Sequence, residues 1–163
     1  MTSGPDHLGR EGDRVAVAEL FNRYMDALDR KDWDLLVDVF TEDATARVTF
    51  PFPGVPTHEI QGRDAIIRFA SSMIGSPEIA TQHIIGNFSA AFDGDTAEAN
   101  VRMRNHHAGV GPRAGLFQES IGAFGGTFVR TVAGWRCSHW HEDIWVNLGR
   151  GEELFASEIA DGA

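Results

Sequence analysis

Residues 17–40 read VAELFNRYMDALDRKDWDLLVDVF, and the periods inside this stretch set the fold class. Val17, Leu20, Phe21, Tyr24, Met25 and Leu28 recur at three- and four-residue spacing, which gives a first helix one apolar face. Asp29 follows Met25 by four positions and Phe21 by eight, so its carboxylate lies at the edge of the buried stripe, near the helix end. A second short helix is expected over KDWDLLVDVF, with Asp32 as its cap and Trp33, Leu36, Val37 and Phe40 on one side.

Upstream, residues 1–13 are dominated by Gly, Pro, Asp and Arg without an apolar period, and are expected to be a disordered start. Downstream, residues 44–50 favour a strand, and PFPGVP (51–56) ends it in an irregular loop. A third helix is expected after Gly62, with Ile66, Ile67, Ala70, Met73 and Ile74 on one side and Gly75 and Pro77 as its stop. Beyond Ala80 the pattern is of strands: 81–88, then 96–107 across an Asp-Gly-Asp turn, about 116–132 after a glycine-spotted loop, and a last strand after Ala133-Gly134. Helices first and strands afterwards is an α+β pattern, with helices on one face of an antiparallel sheet. Gly122, Gly125 and Gly126 within the long strand predict strong curvature.

The 163 residues suffice for one domain with a real interior. Twenty-four acidic against 14 basic residues, a formal charge of −10, leave no basic block to follow a phosphate backbone, so nucleic acid is not an expected partner. No apolar run is long enough to cross a bilayer, and the first residues lack the apolar core of a secretion signal; a cytoplasmic protein with no membrane partner is expected. Cys137 is the lone cysteine and reads as a buried or half-buried thiol.

Strand alternation sorts the polar candidates. Asn105 and His107 share a face with Ala97, Ala99, Val101 and Met103, whereas Arg102, Arg104 and His106 take the other. His83 falls with Ile85 and Asn87, but the equally apolar Ile84 leaves its direction open. In the last strand Trp140, Glu142, Ile144 and Val146 are expected inside, with Cys137, His139, His141 and Asp143 outside. His139, His141 and Asp143 have the alternate spacing of metal ligands, yet an outward face suits a solvated or subunit-interface cluster better; no metal is expected. Glu142 is either a pocket carboxylate with a raised pKa or a solvated strand-end group.

Tyr24-Met-Asp-Ala-Leu-Asp29-Arg-Lys-Asp-Trp33-Asp, Gly62-Arg-Asp-Ala-Ile, Thr81-Gln-His83-Ile-Ile-Gly86-Asn, Gly134-Trp135-Arg and Asp143-Ile144 follow one another in an order that resembles the SnoaL-like branch of the nuclear transport factor 2-like superfamily. Within it the chain is most similar to scytalone dehydratase and bacterial dehydratase relatives. The resemblance covers residues 14–148 and implies a cone: a curved antiparallel sheet wrapped by three N-terminal helices around an apolar pocket. Residues 149–163 form a tail in which Leu154 and Phe155 are a candidate pocket lid.

By resemblance, Asp29, His83 and His107 match the dehydratase's acid/base residues, Tyr24 an aromatic pocket residue, and Trp140 and Ile144 apolar wall positions. The tyrosines that polarise the dehydratase's substrate carbonyl align with Leu28 and Val48, and its polar Ser and Asn with Ala123 and Gly125, which argues against scytalone itself. The implied function is a cofactor-independent dehydratase of secondary metabolism. It would act next to a carbonyl on a polyketide-, steroid- or aromatic-like substrate, with Glu142 among the substrate-binding groups. A polyketide cyclase, a ketosteroid-type isomerase and a non-catalytic ligand-binding or dimerisation module remain alternatives. A homodimer through the outer sheet face is expected.

Overall fold

A computed structural model describes residues 10–51 and 54–156. The expectations for residues 1–9 and for the end of the tail, 157–163, lie outside them. Helix α1 (Glu11–Arg30) buries Val17, Leu20, Phe21, Tyr24, Met25, Ala27 and Leu28, the stripe read from the sequence. It begins at Glu11, so the stretch expected to be disordered already turns helical there. Its end is closed by Lys31 in the left-handed region (φ 56°) and by the Asp32 amide donating to the Ala27 carbonyl, 3.0 Å. Asp32 therefore caps the preceding helix through its backbone, and its side chain makes no cap bond to the following Trp33–Asp38 segment, a 3-10 turn.

Strand β1 (Phe40–Thr49) leads to the short β2 (His58–Gln61) and to helix α2 (Arg63–Ile74), which starts after Gly62 and buries Ile66, Ala70 and Ile74. Four long strands follow: β3 (Ile79–Asp93), β4 (Thr96–Gly109), β5 (Phe117–Thr131) and β6 (Gly134–Gly149). A four-residue helix, α3 (Gly151–Leu154), ends the described chain.

The fold is α+β: one curved, open six-stranded sheet in the order β2-β1-β6-β5-β4-β3, with the helices over its inner face. Every neighbouring pair is antiparallel except β1 and β6, which run parallel. That pairing joins strands about 90 residues apart and leaves no local mark in the sequence. A Cβ at Gly122 or Gly126 would collide with the carbonyl of Asp143 or His139 on β6, so glycine here permits close approach of the two strands.

Three bulges revise the alternation. Asn87, at φ 54°, breaks the register between β3 and β4, so it points out and Phe88 takes the inward place. The β5–β6 register shifts between Thr127 and Phe128, opposite Cys137–His139; Cys137 is consequently fully buried beside Trp140, not on the outer face. A second shift at Trp145 turns Val146 out, at 44% exposure. Strict alternation fails at these points because an extra residue reverses the parity of everything beyond it.

Candidate active site

Asp29 sits one residue before the end of α1, where a carboxylate meets the negative end of the helix dipole and needs compensating donors. It has three. Thr81 Oγ1 donates to Asp29 Oδ1 at 3.0 Å, the His83 backbone N–H donates to Oδ2 at 3.0 Å, and His83 Nδ1 lies 2.6 Å from Oδ1. Burial pushes the Asp29 carboxyl up, but these hydrogen bonds and the His83 charge outweigh it and hold the group below its ordinary value. The His83 side chain is 3% exposed. An ionised Asp29 makes Nδ1 the protonated ring nitrogen and leaves Nε2 as the basic one.

His107 stands on the inner face of β4, with its ring centroid 5.5 Å from that of His83 and the planes at 78°. Burial and the neighbouring His83 hold its pKa down to about 3, so it is a neutral imidazole, and its Nδ1 is buried without a protein partner. Phe155, just past α3, sets its ring 5.5 Å from that of His107, and both Phe155 and Leu154 are buried. Arg113 Nη1 donates to the Leu154 carbonyl at 2.7 Å and fastens the tail there.

The other sequence-derived residues divide into two groups. Tyr24 and Trp140 lie 4.3 Å apart between centroids, tilted by 37°, inside an aromatic cluster with Phe40 and Phe124, so they belong to the packed interior. Glu142 shares the parity of Trp140 and Ile144 and pairs with Val48 and Phe124; its charge contributes to raising the Tyr24 hydroxyl, after burial. Burial first, then the Asp143 charge, raises Glu142 to about 7. Ile144 is buried one row closer to the histidines, opposite Gly122 and Met103.

On the outer face, His139 Nδ1 is 2.6 Å from Thr45 Oγ1 and Asp143 lies 3.5 Å from Arg47, so the alternate set is tied to β1. Among the described residues, no three His, Cys, Asp or Glu side chains are grouped to hold a metal ion. Burial raises the Cys137 thiol far above its ordinary value. A surface cleft of about 360 Å³ lined by Glu19, Asn22, Arg23, Asp26 and Leu35 includes neither Asp29 nor His83; the chemically distinctive groups are those of the inner face.

Residues 11–141 of the chain match the SnoaL-like domain profile. The chain belongs to the SnoaL-like family. An uncharacterized protein of Mycobacterium tuberculosis is 33% identical to it over 130 residues, 76% of this chain and 80% of the relative. Among solved structures, hexachlorocyclohexane dehydrochlorinase LinA-type3 from Novosphingobium barchaimii superposes with a TM-score of 0.72 at 15% identity, covering 88% of this chain and 93% of that one. A protein from Novosphingobium aromaticivorans, provisionally described as a scytalone dehydratase, gives a TM-score of 0.70 at 19% identity, covering 85% and 87%. At these identities the likeness is one of fold.

This SnoaL-like protein carries inner-face polar groups to which the sequence assigned no role. Thr81, two residues before His83 on the same side of β3, had a legible signal in that spacing. Ser120 and Asn147 did not: Ser120 is 1% exposed and donates to Asn147 Oδ1 at 2.6 Å, and Asn147 reaches it only because the bulge at Trp145 reverses the parity of β6.

Proposed function

We propose that this SnoaL-like protein is a small-molecule lyase that removes water next to a carbonyl, with Asp29 and His83 as its acid/base pair. The observation that carries the reading is the 2.6 Å contact between His83 Nδ1 and Asp29 Oδ1, which makes Nε2 the base. His83 Nε2 takes the proton from the carbon beside the carbonyl. The C–H electron pair becomes the new C=C bond, the C–O bond to the β-hydroxyl breaks, and the proton on His83 leaves with that hydroxyl as water. Asp29 stabilises the transient imidazolium. His107, held neutral, hydrogen-bonds the enolate or the departing oxygen and does not serve as a cationic acid.

Two structural neighbours bear names denoting eliminations, a dehydrochlorinase and a dehydratase, and support this reaction class. Leu28 and Val48, apolar and buried, favour a polyketide-, steroid- or aromatic-like substrate of low polarity, such as secondary metabolism supplies. Ring closure by aldol addition and double-bond isomerisation begin with the same proton abstraction. A non-catalytic binding module is the second reading, favoured by the aromatic cluster that fills the interior around Tyr24 and by Phe155 over His107.

A homodimer is part of the proposal. Ile84, Arg104, Ile121 and Val146 form one row across four strands of the outer face, and Ile84 and Val146 are 55% and 44% exposed. A second copy would cover this row.

The test is the appearance of conjugated enone absorbance from a panel of β-hydroxy ketones, together with deuterium uptake at the α-carbon in heavy water. Wild type is expected to give the enone, with deuterium at the α-carbon wherever proton abstraction reverses before water leaves. His83→Ala should lose about 10²–10⁴-fold in rate with the fold intact. Deuterium uptake without enone moves the reading to a cyclase or isomerase; neither signal in wild type moves it to the binding module.

A further inference from the structure

We propose that Asn105, Ser120 and Asn147 form a subsite that receives an oxygen function of the ligand, a carbonyl or a hydroxyl, on the inner sheet face beside His107. That assignment rests on the small-molecule reading of the same face. In the register, His83 pairs with Asn105, Asn105 with Ser120, and Ser120 with Asn147, so the three residues continue the row that His83 begins, across β3 to β6. With strands about 4.8 Å apart, the row spans roughly 14 Å, the length of a two- or three-ring molecule.

The hydrogen bonds within the row have a direction. Gln118 Nε2 donates to Ser120 Oγ at 3.2 Å, and Ser120 Oγ donates to Asn147 Oδ1 at 2.6 Å. A hydroxyl that accepts from one amide must pass its proton to the next, so the relay uses the Asn147 oxygen and turns its Nδ2 hydrogens away. Asn147 Nδ2 is buried and has no protein partner, and the same is true of Asn105 Oδ1; Asn105 is only 2% exposed. A buried polar group without a partner is a net cost to the folded state, which a leucine at position 105 would avoid. The next row toward the aromatic cluster, Ile85, Met103, Gly122 and Ile144, is apolar, so the polar band is bounded on that side. One free donor with one free acceptor complements a hydroxyl, and the donor by itself complements a carbonyl.

The experiment uses the full chain and two probes with one carbon skeleton, 1-tetralone and the hydrocarbon tetralin, titrated while amide and side-chain NMR signals are followed. Wild type is expected to bind 1-tetralone about tenfold more tightly. In Asn147→Leu, which removes the free donor, the ketone should weaken until the ratio is near one, with tetralin affinity unchanged; Asn105→Leu removes only an acceptor, which a ketone does not use, and should keep the ratio. Ser120→Ala, a smaller change, frees the Asn147 amide to turn and should lower the ratio several-fold if a leucine variant does not fold. Asn105→Leu should also melt no lower than wild type. A ratio that is unchanged in folded Asn147→Leu or Ser120→Ala overturns the subsite, as does a wild type with no preference for the ketone. So does a marked fall in Tm of Asn105→Leu, which would make the row structural. His83→Asn separates this from the elimination: it should abolish turnover and leave the ketone preference in place, so either assignment can fail without the other.

Discussion

Both oxygens of the Asp29 carboxylate are held by one residue, His83: its ring Nδ1 lies 2.6 Å from Oδ1 and its backbone N–H donates to Oδ2 at 3.0 Å. The clamp fixes the imidazole against a strand as well as a helix, so the tautomer and the ring direction are set together. Asp29→Asn keeps the shape and loses the charge that supports the imidazolium. Its kcat should fall by about 10²–10⁴-fold while the far-ultraviolet circular dichroism is unchanged. Because the folded pKa of Asp29 is lowered, its stabilising contribution is present above its ordinary value of 3.8 and is lost as pH falls through the folded value. The acid side of the wild-type Tm profile should therefore be steeper than that of Asp29→Asn. Equal steepness would remove the ionised Asp29 from the account.

Thr81 pairs with His107 across β3 and β4, and its hydroxyl supports the carboxylate at 3.0 Å. Thr81→Val should cost about 1 kcal/mol of stability. It should also raise the Asp29 pKa, read by carbon-13 carboxyl titration. An unmoved Asp29 titration would show that the hydroxyl does not matter to the dyad.

Glu142 titrates in the opposite sense. Its folded pKa, about 7, exceeds the ordinary 4.5, so stability is greatest below about pH 4.5 and declines as pH rises to about 7. Glu142→Gln should abolish that decline, gaining at most about 3 kcal/mol over wild type at pH 8 and almost nothing at pH 4. Denaturant unfolding at the two pH values measures it; the same difference at both would exclude a raised carboxyl.

Phe155 covers His107 from the tail. Phe155→Ala should expose the imidazole, raise its pKa from about 3 and narrow the pH 3–6.5 range over which protonation of the unfolded chain destabilises the native state. Imidazole titration by NMR reads the change. An unaltered His107 pKa would mean that the sheet by itself provides the burial.

Ile84 and Ile121 face outward on β3 and β5, with Arg104 between them. The double substitution of both isoleucines by glutamate should convert a dimer to a monomer in sedimentation at micromolar concentration, with the circular dichroism unchanged. A wild type that sediments as a monomer would dismiss the outer-face dimer.

The sequence by itself determined the helical stripe from Val17 to Leu28, the inward row from Ala97 to His107, the place of Asp29 at a helix end, and the α+β class. Each of these is periodic within one element, and period is a local property. Tertiary structure decided the rest. Alternation could not orient His83, because Ile84 is as apolar as its neighbours; an outward Ile84 became visible only when β3 paired with β4 and the Asp29 clamp closed. It misplaced Cys137 and Val146 and left the role of Asn147 unread, because a one-residue bulge reverses every side chain beyond it, and bulges arise from the pairing of strands. The parallel contact of β1 with β6, and the relay from Gln118 through Ser120 to Asn147, depend on residues brought together from distant parts of the chain. Such contacts carry no period, so only the folded sheet displays them.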